Sequence, residues 1–226
     1  MDKTPTVELT GPSGTVSAPF DVTGVATFKK AVTPSTVRGN IYAYINNSSI
    51  VGRPKACTTE TCTFSYQELT GQLYDYVSHG VPYTIRLEAQ AIGGPTAIDT
   101  GSFSVDKMPT VTITSPPGGR VQTPFEIAGI ATFKPTTNST KGSISVYFNN
   151  GYLGGKNCTT ETCEYSYLEL YGKLYPAAAG TKGTLKLTAT GGGASASDER
   201  EIFVEVLPDD PGCPDPPPGT CPICPQ

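Results

Sequence analysis

The chain has 226 residues, a net charge of −4 and a pI of about 5.0. Charged residues make up 16%, against about 25% in an ordinary soluble domain, and the acidic balance offers no field for nucleic acid or anionic lipid. No run of 18 apolar residues occurs, so no membrane insertion is expected, while 25 glycines and 21 prolines point to many short strands joined by tight turns.

Taken in chain order, the apolar residues recur two apart: Val7 and Leu9, Phe20 and Val22, then Ile41, Ala43 and Ile45, and later Ile85, Leu87 and Ala89. Period two marks a strand with one buried face. Seven strands are predicted near 5–10, 19–28, 39–46, 49–53, 62–69, 83–91 and 97–105. Leu69 to Val77 is compatible with a short helical turn, and no segment carries a sustained helical stripe. A second series follows near 109–114, 124–133, 142–149, 152–155, 163–170, 183–190 and 200–206.

The second series is a copy of the first, displaced by about 100 residues, one sandwich domain in length. Pro5-Thr6-Val7-Glu8-Leu9-Thr10 returns as Pro109-Thr110-Val111-Thr112-Ile113-Thr114. The segment from Pro19 to Phe28 returns from Pro124 to Phe133, and Gly39 to Asn47 returns as Gly142 to Asn150. Cys57-Thr58-Thr59-Glu60-Thr61-Cys62 recurs unchanged as Cys158 to Cys163. The expected organisation is all-β: an immunoglobulin-like β-sandwich over 1–106, a second over 107–207, and a Pro/Cys-rich extended tail over 208–226. Val105-Asp106-Lys107-Met108-Pro109 is a very short connection, which favours an extended rod over two domains folded on each other.

Seven cysteines are present. Cys57 with Cys62 and Cys158 with Cys163 are expected as disulfides closing small loops. The alternative, a metal site, would need the pairs of both copies to meet. In the tail, 8 of the 19 residues after Leu207 are proline, which excludes helix and central strand. It carries Cys213, Cys221 and Cys224, an odd number, so one thiol is available for an interchain bond. A passive polyproline linker is the other reading. Cys-Pro-Ile-Cys has the spacing of a zinc half-site, but the single His79 cannot complete it. Paired cysteines imply an oxidising, extracellular or cell-surface setting, with Met1 read as added to a mature or excised segment.

The pattern P-T-V-x-[LI]-T-x-P-x-G followed by P-F-x-[VI]-x-G-x-A resembles the bacterial Ig-like repeats of secreted and cell-surface proteins. Its residues are Pro5, Val7, Leu9, Pro12, Gly14, Pro19, Val22, Gly24 and Ala26. In the second copy they are Pro109, Val111, Ile113, Pro116, Gly118, Pro124, Ile127, Gly129 and Ala131. The resemblance covers everything but the tail and implies a spacer, stalk or adhesion module. The chain departs from antibody domains in having no Trp and no inter-sheet Cys…Trp…Cys pattern.

Nothing points to catalysis, and no catalytic residue or cofactor is predicted. His79 sits in a turn without a counterpart in the second copy. Glu68 and Glu169 recur, but one per copy, where acid–base hydrolysis needs a pair. Asp2, Asp99 and Asp106 are the candidate calcium ligands, too few for the six to eight oxygens required. Tyr44, Tyr66 and Tyr74 recur as Tyr147, Tyr167 and Tyr175, which argues for core or turn packing. Tyr42, Tyr76, Tyr83, Tyr152 and Tyr171 are unmatched and are the candidates for a glycan-binding face. Asn46, Asn47 and Asn138 head glycosylation sequons in surface loops. The expected function is non-catalytic and structural, a surface stalk or a subunit of an extracellular filament whose partner is another copy of itself. The alternatives are adhesion to a cell-surface protein or glycan, or an accessory region of a larger secreted enzyme.

Overall fold

A computed structural model describes residues 4–29, 37–46, 49–68, 76–122, 124–169 and 180–205. The first copy contains β1 (Thr6–Gly11), β2 (Gly14–Val16), β3 (Phe20–Thr27), β4 (Gly39–Ile45), β5 (Ser49–Ile50), β6 (Lys55–Cys57), β7 (Thr61–Glu68), β8 (Tyr83–Ala91) and β9 (Thr96–Val105). The second contains β10 (Thr110–Ser115), β11 (Gly119–Val121), β12 (Phe125–Thr132), β13 (Gly142–Phe148), β14 (Gly151–Cys158), β15 (Thr162–Glu169), β16 (Lys182–Gly191) and β17 (Ala194–Val204).

Each copy is a sandwich of two sheets. A three-stranded sheet, β1-β3-β7 or β10-β12-β15, faces a larger one, β2-β9-β8-β4-β5 with β6 also on β4, or β11-β17-β16-β13-β14. The alternating residues meet between the sheets. Val22, Ala26, Ile41, Ala43, Ile85, Leu87 and Ala89 are fully buried in the first core, and Ile127, Ala131, Ile144, Leu185, Leu187 and Ala189 in the second. The fold is therefore two tandem immunoglobulin-like β-sandwiches.

The strand list is longer than the period-two reading anticipates. β2 and β11 are three residues each, too short to show a period, and they pair in parallel with the ends of β9 and β17. The segment predicted as a strand over 49–53 is cut back to β5, with β6 beginning beyond it, because Gly52 takes φ +68° and Pro54 stands two residues on, and proline has no N–H for the ladder. Its counterpart β14 lacks that proline and runs unbroken for 8 residues. The turn before it is Asn149-Asn150, both at positive φ, the conformation of a two-residue hairpin loop. Residues 69–75, 170–179 and 206–226 lie outside the described residues, and with them most of the helical turn anticipated over 69–77, Tyr74, Tyr171 and Tyr175, and Cys213, Cys221 and Cys224.

The repeated Gly-x-Ala of the third strand has a packing cause. A Cβ built on Gly24 would lie 2.6 Å from the Glu8 carbonyl oxygen and inside a Leu87 methyl group, and one on Gly129 would lie 2.7 Å from the Thr112 oxygen and inside a Leu187 methyl. Only glycine lets the neighbouring strand and the facing leucine approach this closely.

Candidate functional site

The cysteines do more than fix a turn. Cys57 lies on β6, opposite Gly39 of the larger sheet, and Cys62 lies on β7, opposite Ala26 of the smaller one. The Cys57–Cys62 disulfide, with Cα atoms 5.7 Å apart, thus ties the two sheets together at their rim. Cys158 of β14 and Cys163 of β15 repeat the arrangement at the same 5.7 Å. All four side chains are buried.

Among the residues weighed for calcium, Asp99 is occupied otherwise. β1 is an edge strand of its sheet, and its register shifts between Leu9 and Gly11. Asp99, reaching from β9 in the facing sheet, accepts the Leu9 N–H at 2.7 Å on Oδ2 and its neighbour Thr100 N–H at 2.9 Å on Oδ1. Asp198 repeats the clasp with Ile113 and Glu199, both at 2.9 Å, and also accepts from Arg200 at 2.8 Å. Asp198 follows the second Gly-Gly turn as Asp99 follows the first, a recurrence open to the sequence, but its purpose depends on an N–H of the facing sheet. Asp2 lies outside the described residues. No group of three or more His, Cys, Asp or Glu side chains converges among the described residues.

Asp106 and His79 meet at the connection between the sandwiches. His79, placed in a turn by the sequence, forms a bridge with Val105, and its Nδ1 accepts the Lys107 N–H at 2.9 Å. Asp106 accepts the Met108 N–H at 2.9 Å and lies 3.5 Å from His79 Nδ1 and 3.6 Å from Lys134 Nζ of the second copy. The Met108 N–H holds its carboxyl below the ordinary range, helped by Lys134 and His79 and opposed by burial. Lys107 is buried with its stem against Gly192 in the turn between β16 and β17.

Among the described residues the buried carboxylates are Glu68 and Glu169, at the ends of β7 and β15. Tyr66 donates its hydroxyl to Glu68 Oε2 at 2.8 Å. Burial, then the bond to Glu68, pushes the Tyr66 hydroxyl up to about 12.

The tyrosines divide differently from the sequence expectation. Tyr44 and Tyr147 recur, yet they stand on the outer faces of the larger sheets, because Ala43, Ile45, Val146 and Phe148 on either side point inward. In the first copy Tyr42 and Tyr44 stack at 6.4 Å and 26°, and the Arg86 guanidinium lies 4.3 Å from the Tyr44 ring centre. Arg86 also pairs with Glu88 at 3.6 Å. In the second, Tyr147 meets Tyr152 edge to face at 5.7 Å and 64°, and Tyr152 of β14 is 63% exposed. Beside that pair, Lys186 and Glu199 form an ion pair at 3.0 Å. A hollow of about 410 Å³ is lined by Tyr147, Asn150, Lys186, Thr188, Ser195 and Ser197, among others. Of the unmatched tyrosines, Tyr83 packs on Phe103 and donates no surface of this kind, and Tyr76 is exposed near the connection.

No protein-family model matches the chain, and no curated protein sequence matches it. Among solved structures it is similar to the Clostridium thermocellum CbhA fibronectin(III)-like modules, at 16% identity over 88% of this chain and 94% of that one, with a TM-score of 0.30. It is similar to a chimeric titin Z1Z2, at 13% identity over 92% and 100% with a TM-score of 0.30. The Sidekick-1 immunoglobulin domains 1–4 are a third, at 12% identity over 88% and 48% with a TM-score of 0.30. The class of protein is set by the chain's own strands and cores: a pair of immunoglobulin-like modules carried on one chain.

Proposed function

We propose that the chain is a non-catalytic extracellular spacer that holds its two sandwiches in a fixed relation at a cell surface or in an extracellular assembly. The observation that carries this reading is Asp106. Its carboxylate pairs with Lys134 of the second copy and accepts the Met108 N–H, while His79 of the first copy accepts the neighbouring Lys107 N–H on Nδ1. A spacer needs a joint that resists bending, and a short connection pinned on both sides supplies one. The buried disulfides suit an oxidising setting.

Small-angle scattering on the oxidised chain tests the joint. The expected result is one sharply bounded maximum dimension that becomes broader in Asp106→Ala. A wild-type profile already as broad as that of the variant overturns the fixed joint. Self-association, the second part of the reading, rests on the odd number of tail cysteines, Cys213, Cys221 and Cys224. Mass measured with and without reductant on material from the native source is expected to show multimers that collapse on reduction. A monomer under both conditions overturns that part alone.

A further inference from the structure

The outer faces of the two larger sheets are built on one register but finished differently. In the first copy Tyr44 stands across from Arg86 and Thr100, and Tyr42 across from Glu88 and Ile98. In the second, Tyr147 stands across from Lys186 and Glu199, and Ser145 across from Thr188 and Ser197. At three adjoining positions Tyr42, Glu88 and Ile98 are thus exchanged for Ser145, Thr188 and Ser197. The first face is filled by its own side chains, with Tyr42 lying on Tyr44. The second carries only small hydroxyl side chains there, and a hollow of about 410 Å³ opens over Thr188, Ser195 and Ser197 beside Tyr147, Asn150 and Lys186. That volume lies within the range of small-molecule sites, roughly 300–1,000 Å³.

The walls have a definite chemistry. Tyr147 lines the hollow, and Tyr152, across from it on the edge strand and 63% exposed, extends the apolar ring surface beyond the rim, both with polar tips. Asn150 and the Lys186–Glu199 pair offer donors and acceptors with no net charge. A second hollow of about 280 Å³, lined by Asn149, Asn150, Thr184, Lys186 and Glu199, shares Asn150 and Lys186 with the first, so the two adjoin along the sheet. Aromatic surface for C–H groups, hydroxyl and amide partners for hydroxyls, balanced charge and an elongated shape together match a neutral oligosaccharide. An anionic sugar would meet Glu199 and Glu201 on the neighbouring strand without a surplus cation, since Lys182 already pairs with Glu201 at 2.7 Å.

We propose that the outer face of the second sandwich, at Tyr147, Tyr152, Lys186 and Ser197, binds a neutral oligosaccharide, and that the first sandwich does not. The inference goes beyond the spacer reading and stands without it.

The test is an amide-resonance titration of the full oxidised chain with neutral hexasaccharides of glucose, xylose, mannose and N-acetylglucosamine. At least one is expected to shift the Tyr147, Tyr152, Thr188 and Ser197 signals, with a Kd on the order of 0.1–1 mM. Tyr152→Ala, at an exposed site, is expected to weaken binding at least about tenfold, a difference of about 1.4 kcal/mol. The double variant Ser145→Tyr, Ser197→Ile copies the filled first face and is expected to abolish binding while keeping the dispersed spectrum of the folded chain. Tyr42→Ala is expected to leave it unchanged. The proposal is overturned if no neutral sugar shifts these signals at about 10 mM, if Tyr152→Ala and the filled variant bind as well as wild type, or if only acidic sugars bind. Shifts at the same residues on raising protein concentration alone, with sugar adding nothing, would overturn it in favour of self-association.

Discussion

The Asp99 carboxylate shows how a single residue can look like a ligand and serve as a brace. Both its oxygens are used by backbone N–H groups, one of them on the edge strand of the opposite sheet. Asp99→Ala leaves the Leu9 N–H half-buried without an acceptor, which costs about 1–3 kcal/mol; urea denaturation should register that loss, and Asp198→Ala should match it in the second copy. Gly24→Ala is expected to cost about 1–3 kcal/mol by overpacking against Leu87 and the Glu8 carbonyl, read as a lowered urea midpoint. Tyr66 adds a pH dependence. Its folded-state pKa of about 12 stands above the ordinary tyrosine value of about 10, so its contribution is complete below the unfolded value and is lost as pH rises through the folded one. Melting temperatures should therefore fall across that alkaline window in wild type, and less steeply in Tyr66→Phe.

At the scale of the element, the disulfides link sheets and not merely neighbouring residues. Each closes a loop with a sequence separation of 5, and chain entropy for so short a ring gives about 2 kcal/mol. Full reduction is expected to lower stability by about that amount per sandwich, measured by urea denaturation with and without reductant. Mutating Cys57 and Cys62 together to Ala should reproduce the effect in the first copy only. The strands that form the cores were legible in the sequence because alternation at Phe20–Val22, Ile41–Ile45 and Ile85–Ala89 is a direct image of burial. β2 and β11 were not, since three residues carry no period and their parallel partners lie about 90 residues away. The position of Tyr44 and Tyr147 was misjudged for a related reason. Recurrence in a repeat reports a shared environment, but only the register with inward-pointing neighbours says on which face. The hollow beside Tyr147 was hidden for the same cause, because Ser145, Thr188 and Ser197 become neighbours only through pairing across three strands.

For the whole molecule, the joint proposed at Asp106 predicts that the spatial relation of the two copies responds to acid. Asp106 has a lowered pKa, set first by the Met108 N–H. Its stabilising contribution is present above the ordinary carboxylate value and is lost as pH falls through the folded-state value. Scattering curves are expected to be constant from neutral pH down to about 5 and to broaden below about 4, while Asp106→Asn should be broad at every pH. The duplicated sandwich was fully visible in the sequence. The pinning of its joint was not, because Lys134 and His79 have no recognisable motif and reach Asp106 only in three dimensions.

The parallel pairing of β2 with β9, and of β11 with β17, bears on what happens when the chain is pulled. Gly14 to Val16 lies in register with Phe103 to Val105, and Gly119 to Val121 with Ile202 to Val204. Tension drawn from the two ends of a sandwich acts on these strands in opposite directions along their length. The hydrogen bonds between them are then strained side by side and share the load, where an antiparallel hairpin pulled from its open end would lose them one after another. Each module therefore carries, next to the points where force enters and leaves it, a short patch arranged to break as a unit, and a chain of such modules would yield under stretching in discrete steps.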